Sequence, residues 1–144
     1  MTIAAILAQK GADVVSLSSD QPVAAAIAAL AAHRIGAVPV IDRDQAVRGI
    51  FSERDVIRLL ADRDAATLLA IPLAQVMTAE PLTATRDDSI LAALSLMTHR
   101  RIRHLPVVEG GRLIGIVSIG DLVKHRIDRI EADADAMRAY IQQT

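Results

Sequence analysis

Apolar residues along this chain follow two spacings that alternate, and the alternation occurs twice. Ile3, Ile6 and Leu7 recur at helical intervals before Gly11, which predicts a short lead-in helix over residues 3–9. Residues 14–17 form a brief apolar run that reads as a strand. Ser18-Ser19-Asp20-Gln21-Pro22 then supplies capping side chains and a first-turn proline for a helix. That helix is alanine-rich, carries Val23, Ile27 and Leu30 on one face, and ends at Gly36. Two apolar runs, residues 37–41 and 47–51, flank the polar turn Asp42-Arg43-Asp44-Gln45 and predict a hairpin. Pro39 cannot donate to a ladder, which predicts an edge position or the opening of its strand. From Ser52 the helical spacing returns at Val56, Leu59 and Leu60.

The same order then repeats. Residues 82–85 predict a strand, Asp87-Asp88-Ser89 a helix start, and Ile90, Leu94 and Met97 the apolar face of that helix. Residues 105–108 and 113–117 predict a hairpin about Gly110-Gly111, followed by a helix from Ser118. The duplication extends to residue identity: Arg34-Ile35-Gly36-Ala37-Val38-Pro39-Val40 returns as Arg101-Ile102-Arg103-His104-Leu105-Pro106-Val107. The unit is β-α-β-β-α, a mixed α/β (α+β) fold. Half a chain of 144 residues buries too little surface to stand alone. Two units are also fewer than the roughly three an open solenoid needs, so a closed pseudo-twofold pair is predicted. The first repeat with its lead-in helix takes residues 1–68, the second residues 69–127, and residues 73–77 mirror the lead-in. A tail, residues 128–144, carries Ile130, Met137 and Ile141 on a helix with Glu131, Asp133 and Asp135. It is expected to lie on the body or on a second subunit, or to serve as a recruitment handle.

Composition narrows the function classes. A net charge of -1 offers no field for a polyanion, and an aromatic content of 1%, in effect Phe51 and Tyr140, removes the stacking platforms of single-strand binders. Nucleic acid is therefore not an expected partner, and a planar ligand must be held between aliphatic side chains. The chain has no cysteine, so disulfides, zinc-thiolate sites and thiol nucleophiles are excluded. No apolar run reaches the roughly 18 residues of a membrane span, and the opening segment lacks a basic region before its apolar run; a cytoplasmic, membrane-free protein is expected. His33, His99, His104 and His125 show no ligand spacing, so no metal is expected.

The chemistry recurs with the repeat. Ser52 with Asp55, and Ser118 with Asp121, place a hydroxyl three residues before a carboxylate where a strand hands over to a helix. Such a pair is a capping box, satisfying free backbone N–H groups. It can also serve a nucleotide: a helix N-terminus attracts phosphate, the serine adds a donor, and the carboxylate accepts from vicinal ribose hydroxyls. In both copies the pair follows a glycine-containing strand, Gly49-Ile50-Phe51-Ser52 and Gly115-Ile116-Val117-Ser118, where the backbone allows close approach. No glycine-rich phosphate loop, dinucleotide fingerprint or Ser-His-Asp order is present.

Gly49-Ile50-Phe51-Ser52-Glu53-Arg54-Asp55, Met77-Thr78, Arg103-His104-Leu105-Pro106-Val107 and Gly115-Ile116-Val117-Ser118-Ile119-Gly120-Asp121 resemble tandem cystathionine-β-synthase (CBS) domains, the Bateman module. The resemblance covers almost the whole chain. It implies adenosine nucleotides (AMP, ADP, ATP or NAD(H)) in clefts between the paired domains, with Asp55 and Asp121 on ribose and Ser52 and Ser118 on phosphate. It further implies that Val15, Ser16 and Leu17, with Ala37, Val38 and Pro39, line one cleft, and that Leu82, Thr83 and Ala84, with His104, Leu105 and Pro106, line the other. Thr78 is then a rim contact. The copies differ in their basic residues. Arg54 precedes Asp55, but Gly120 precedes Asp121, and Arg100, Arg101, Arg103, His104 and Lys124 are expected to compensate. The clefts should therefore be unequal in affinity or ligand, and the asymmetry also allows arginines from both halves to serve one phosphate chain. Lys10, just before the first strand, has two readings, a place near a phosphate and a surface lysine, and the second is preferred.

The function expected is a stand-alone, non-enzymatic nucleotide sensor that passes ligand occupancy to a downstream protein partner by a conformational change. The resemblance also implies a disc-like homodimer. Two other readings stay open: a constitutive scaffold whose Ser-x-x-Asp pairs are caps only, and an enzyme acting on a nucleotide.

Overall fold

The computed structural model describes residues 1–11 and 13–143; Thr144, which the sequence assigns to the tail, lies outside the described residues. The first half holds α1 (Ile3–Lys10), β1 (Leu17–Ser18), α2 (Val23–His33), β2 (Ala37–Ile41), β3 (Val47–Ser52), α3 (Glu53–Asp62) and α4 (Ala65–Leu69). The second holds α5 (Leu73–Val76), β4 (Thr78–Ala79), α6 (Ile90–Arg100), β5 (His104–Glu109), β6 (Arg112–Ser118) and α7 (Ile119–Gln143). Both predicted hairpins form, β2 against β3 and β5 against β6, each with one register shift. The second turns at Gly110-Gly111, where both residues have positive φ, a conformation glycine adopts without steric cost.

The predicted opening strands are far shorter than expected. Only Leu17 and Ser18 pair, in parallel, with Val40 and Ile41; in the second copy Ala84 alone bridges Val107. Residues 14–16 and 82–83 belong to no strand and have no ladder partners. Pro39 lies inside β2, between β1 and β3, beyond the two residues that β1 pairs. In the second copy the Pro106 carbonyl accepts from the Ala84 amide, so its hydrogen-free nitrogen faces the same side, away from β6. Helix α2 ends at His33 on Arg34 in the left-handed conformation, not on Gly36, and it starts at Pro22 without a side-chain cap. The helix from Ser118 and the tail helix are one continuous element.

The halves share their lead-in segments by exchange. Ile3, Ile6 and Leu7 of α1 are buried with Ala84, Ile90, Met97, Leu105, Val107, Val117 and Leu122, that is, in the core of the second half. Leu73 of α5, with Leu68 of α4, is buried with Val23, Leu30, Val38, Val40 and Phe51 in the core of the first. Backbone bonds repeat the exchange in matched pairs: the Ile3 and Ala4 amides donate to Asp88 and Arg86 carbonyls, and the Leu73 and Ala74 amides to Gln21 and Ser19. This reciprocity is the pseudo-twofold symmetry of the fold. It also explains the glycines of β3 and β6. A Cβ on Gly49 would overlap the Met77 thioether and lie 2.9 Å from the Thr78 carbonyl oxygen, and one on Gly115 would lie 2.5 Å from a Leu7 methyl. What approaches these strands closely is the chain's own lead-in segments.

Candidate functional site

Both Ser-x-x-Asp pairs form complete capping boxes. The Asp55 amide donates to Ser52 Oγ (3.4 Å) and the Ser52 amide to Asp55 Oδ2 (2.9 Å). The Asp121 amide donates to Ser118 Oγ (3.0 Å) and the Ser118 amide to Asp121 Oδ2 (2.9 Å). The first amides of α3 and α7 are also taken, Glu53 by the Gly36 carbonyl (3.0 Å) and Ile119 by the Arg103 carbonyl (2.8 Å). Each box is therefore pinned to the opening of its own hairpin, which fixes where the carboxylate points.

Two clefts lie between the halves, and each draws its carboxylate from one half and its opening strand from the other. The first, about 400 Å³, combines Val14, Val15, Gly36 and Ala37 with Ser118 and Asp121. The second, about 310 Å³, combines Thr78, Pro81 and Leu82 with Ser52, Arg54 and Asp55. These volumes fall at the lower end of the roughly 300–1,000 Å³ typical of small-molecule sites. Of the other residues singled out by sequence, Ala37 and His104 line both clefts and Arg103 lines the second. Val38, Pro39, Leu105 and Pro106 are buried and line neither cleft. Thr83 is exposed and Ser16 and Leu17 border a shallow polar hollow beside Asp42 and Arg43.

The basic residues are distributed differently from the sequence expectation. Arg101 and Arg103 do not make up for Gly120; they face Arg54 and Arg58 across the Asp55 cleft, while Arg100 and Lys124 line neither. The guanidinium groups of one cleft thus come from both halves. Asp55 Oδ1 stands 4.0 Å from the Arg58 guanidinium, and Glu53 and Glu80 complete the charged lining.

In the Asp121 cleft the cations are Lys10 and Arg34, in place of the four arginines of the Asp55 cleft. The Lys10 ammonium reaches across from the end of α1 to Asp121 Oδ2 at 2.8 Å and to the Ile116 carbonyl at 2.9 Å. Burial pushes the Asp121 carboxyl up, but hydrogen bonds from Lys10 and the Ser118 backbone outweigh it and hold the group below the usual carboxylate range. Arg34, Gly36 and Glu53 are contributors that sequence reasoning passed over, and Lys10 is one for which it preferred a surface role. The duplication carried a signal for two of them: Arg34 and Gly36 occupy the repeat positions of Arg101 and Arg103, and Arg34 and Arg101 share the left-handed backbone conformation.

His104 forms the partition between the clefts. Its ring lies over Gly36, where an added Cβ would be 3.1 Å from the imidazole. Burial pushes the His104 pKa below the ordinary 6.5; Glu53 and Asp121 pull it up, and Lys10 and Arg103 push it down. The ring is neutral in the folded protein at pH 7, and the unfolded chain binds the extra proton first as pH falls. Its contribution to stability is thus complete above pH 6.5 and is lost below it. Melting temperature followed from pH 7.5 to 5 should fall less steeply for His104→Gln than for the parent; parallel curves would show that the partition is not protonation-sensitive.

A family model described as CBS domain matches twice, over residues 8–62 and 73–128. The mitochondrial CBS domain-containing protein CBSX3 of Arabidopsis thaliana is 33% identical over 129 residues, 87% of this chain and 62% of the relative. This chain therefore spans under two thirds of that relative's length. A crystal structure of a CBS-domain containing protein from Agrobacterium tumefaciens superposes with a TM-score of 0.82 at 40% identity, covering 88% of this chain and 99% of the other. The CBS domain protein PAE2072 from Pyrobaculum aerophilum, solved as a complex with AMP, superposes with a TM-score of 0.73 at 28% identity, covering 84% and 89%.

Proposed function

Because the chain belongs to the CBS-domain family and carries the domain twice in tandem, we propose that it is a regulatory module that takes an adenosine nucleotide (AMP, ADP, ATP or NAD(H)) between its halves and signals occupancy by a change in their arrangement. The observation that carries this reading is the Asp55 cleft. A capped carboxylate stands ready for ribose hydroxyls, and Arg54, Arg101 and Arg103 stand ready for phosphate. The AMP complex of the Pyrobaculum aerophilum relative supports the same ligand class. Base recognition falls to small groups: Pro81, Leu82 and Ala37 offer aliphatic contact and backbone, and the His104 imidazole is the aromatic ring among the lining residues.

The same reading makes the protein non-enzymatic, cytoplasmic and homodimeric, with a second protein reading the signal. Among the described residues no helix is long and apolar enough to cross a membrane. A ligand that favours one arrangement shifts the population only by its difference in affinity for the two, so the sensed nucleotide must bind unequally to them.

Thermal unfolding with AMP, ADP, ATP, NAD and NADH tests the proposal. At about 100 times its dissociation constant a native-state ligand adds about 2.7 kcal/mol, a rise of about 5–10 °C for a chain of this size. No rise with any of the five at millimolar concentration would leave the boxes as caps alone and the protein a scaffold. Chromatography of the incubated nucleotide should return it unchanged; product would make the protein an enzyme.

A further inference from the structure

Helix α7 runs for 25 residues, and among the described residues its buried side chain is Leu122, near its beginning. Beyond it the helix carries an apolar stripe that no part of the described chain covers: Val123, Ile127, Ile130 and Met137 are exposed, Ile130 by 54% and Met137 by 61%. With Ala134, these residues follow steps of four, three, four and three. That is the narrow seam of a heptad repeat. A helix that packs on a globular body carries a broader apolar face.

The residues beside the seam say what fits it. In heptad terms Val123, Ile130 and Met137 take d, and Ile127 and Ala134 take a. Lys124, Glu131 and Arg138 then take e, and Arg126 and Asp133 take g. A parallel, in-register pair sets each g residue against the e residue five places on in the other helix. Here that brings Arg126 to Glu131 of the second copy and Asp133 to Arg138 of the second copy, opposite charges both times. An antiparallel pair overlapping the same seam would set Lys124 against Arg138, Glu131 against Glu131 and Asp133 against Asp133, three pairs of like charge, and would leave Arg126 against Tyr140. Within its own helix Arg138 already meets Asp135 at 2.9 Å and Arg129 meets Asp133 at 3.9 Å. Both pairs are exposed, worth under about 1 kcal/mol each, and readily exchanged.

We propose that the stripe from Val123 to Met137 is the seam of a parallel, in-register, two-stranded coiled coil formed with α7 of a second copy of this chain. Two heptads zip poorly between free helices. They zip well between helices held at millimolar effective concentration, so the seam rests on the homodimer proposed above and fixes its orientation. Both copies then leave the body in the same direction, and a change in the arrangement of the halves, felt at Leu122, would reach the coiled coil directly.

The absence of cysteine permits a direct test. Ile130→Cys and Met137→Cys, each introduced singly into the full chain and oxidised with diamide, should both yield disulfide-linked dimers as the main product. An antiparallel pair can bring at most one position opposite itself, so a dimer from only one variant, or from neither, overturns the seam. Arg126→Glu should cut the Ile130→Cys yield severalfold, and adding Glu131→Arg should restore it. Sedimentation separates the two layers of the argument. Ile130→Asp should weaken the dimer at least tenfold with unchanged circular dichroism. A dimer indifferent to Ile130→Asp and without cross-links would leave chain pairing intact and remove the seam; a parent chain that is monomeric throughout would remove both.

Discussion

Asp55→Ala is expected to weaken the tightest nucleotide binding of this protein by about 10- to 100-fold, the loss that follows when hydrogen bonds to a charged group worth about 1.5–3 kcal/mol are removed. Calorimetric titration reads both the affinity and the number of sites. The parent should show one tight site, because the Asp55 cleft gathers Arg54, Arg58, Arg101 and Arg103 around a carboxylate whose Oδ1 is held only loosely, 4.0 Å from Arg58. The Asp121 cleft should be the weaker. A ribose entering there competes with the Lys10 ammonium, which holds Asp121 Oδ2 at 2.8 Å. Asp121→Ala should leave the tight site intact and remove the weak one, and Lys10→Ala should strengthen the weak one. Loss of a capping box costs stability as well, about 0.5–2 kcal/mol, so each variant's melting temperature is needed beside its affinity. Equal effects of Asp55→Ala and Asp121→Ala on a single site would refute the inequality.

Much of this arrangement was written in the local pattern of the chain. The hairpins were legible because each has two apolar runs and a polar or glycine turn, and the capping boxes because hydroxyl and carboxylate fall three apart at a helix start. Local pattern does not say which surface an apolar face meets. Ile3, Ile6 and Leu7 announce a buried face, yet nothing in their spacing says that they fill the core of the half farther along the chain. The same blindness favoured the surface reading of Lys10. A lysine beside a glycine reads as surface, and only the exchange of α1 brings it to a carboxylate 111 residues away. Gly36 was legible as a glycine but not for its reason: its φ is not positive, and what it provides is space for His104. The arginines follow the same rule: Arg101 and Arg103 do not serve the motif nearest in sequence but join Arg54 and Arg58 from the other half, because each cleft pairs the motif of one half with the strand of the other.

The exchange also governs how the protein unfolds. Ile3 and Leu73 are both fully buried, each in the core opposite its place in the chain. Truncating either to alanine removes contacts that the surrounding core cannot replace and should cost about 2–5 kcal/mol. For a chain of this length that is a fall of about 4–20 °C in melting temperature, measured by circular dichroism or calorimetry. The location of the damage is more telling than its size. In native-state hydrogen exchange Ile3→Ala should first deprotect β5 and β6, around Leu105, Val107 and Val117, while Leu73→Ala should first deprotect β2 and β3, around Val38, Val40 and Phe51. Independent repeats would give the reverse pattern and two unfolding transitions. A single transition with crossed damage follows if each half is completed by the other's lead-in segment. Since both clefts are built across the same boundary, a ligand that grips the two halves at once would then stabilise the whole chain and not one repeat.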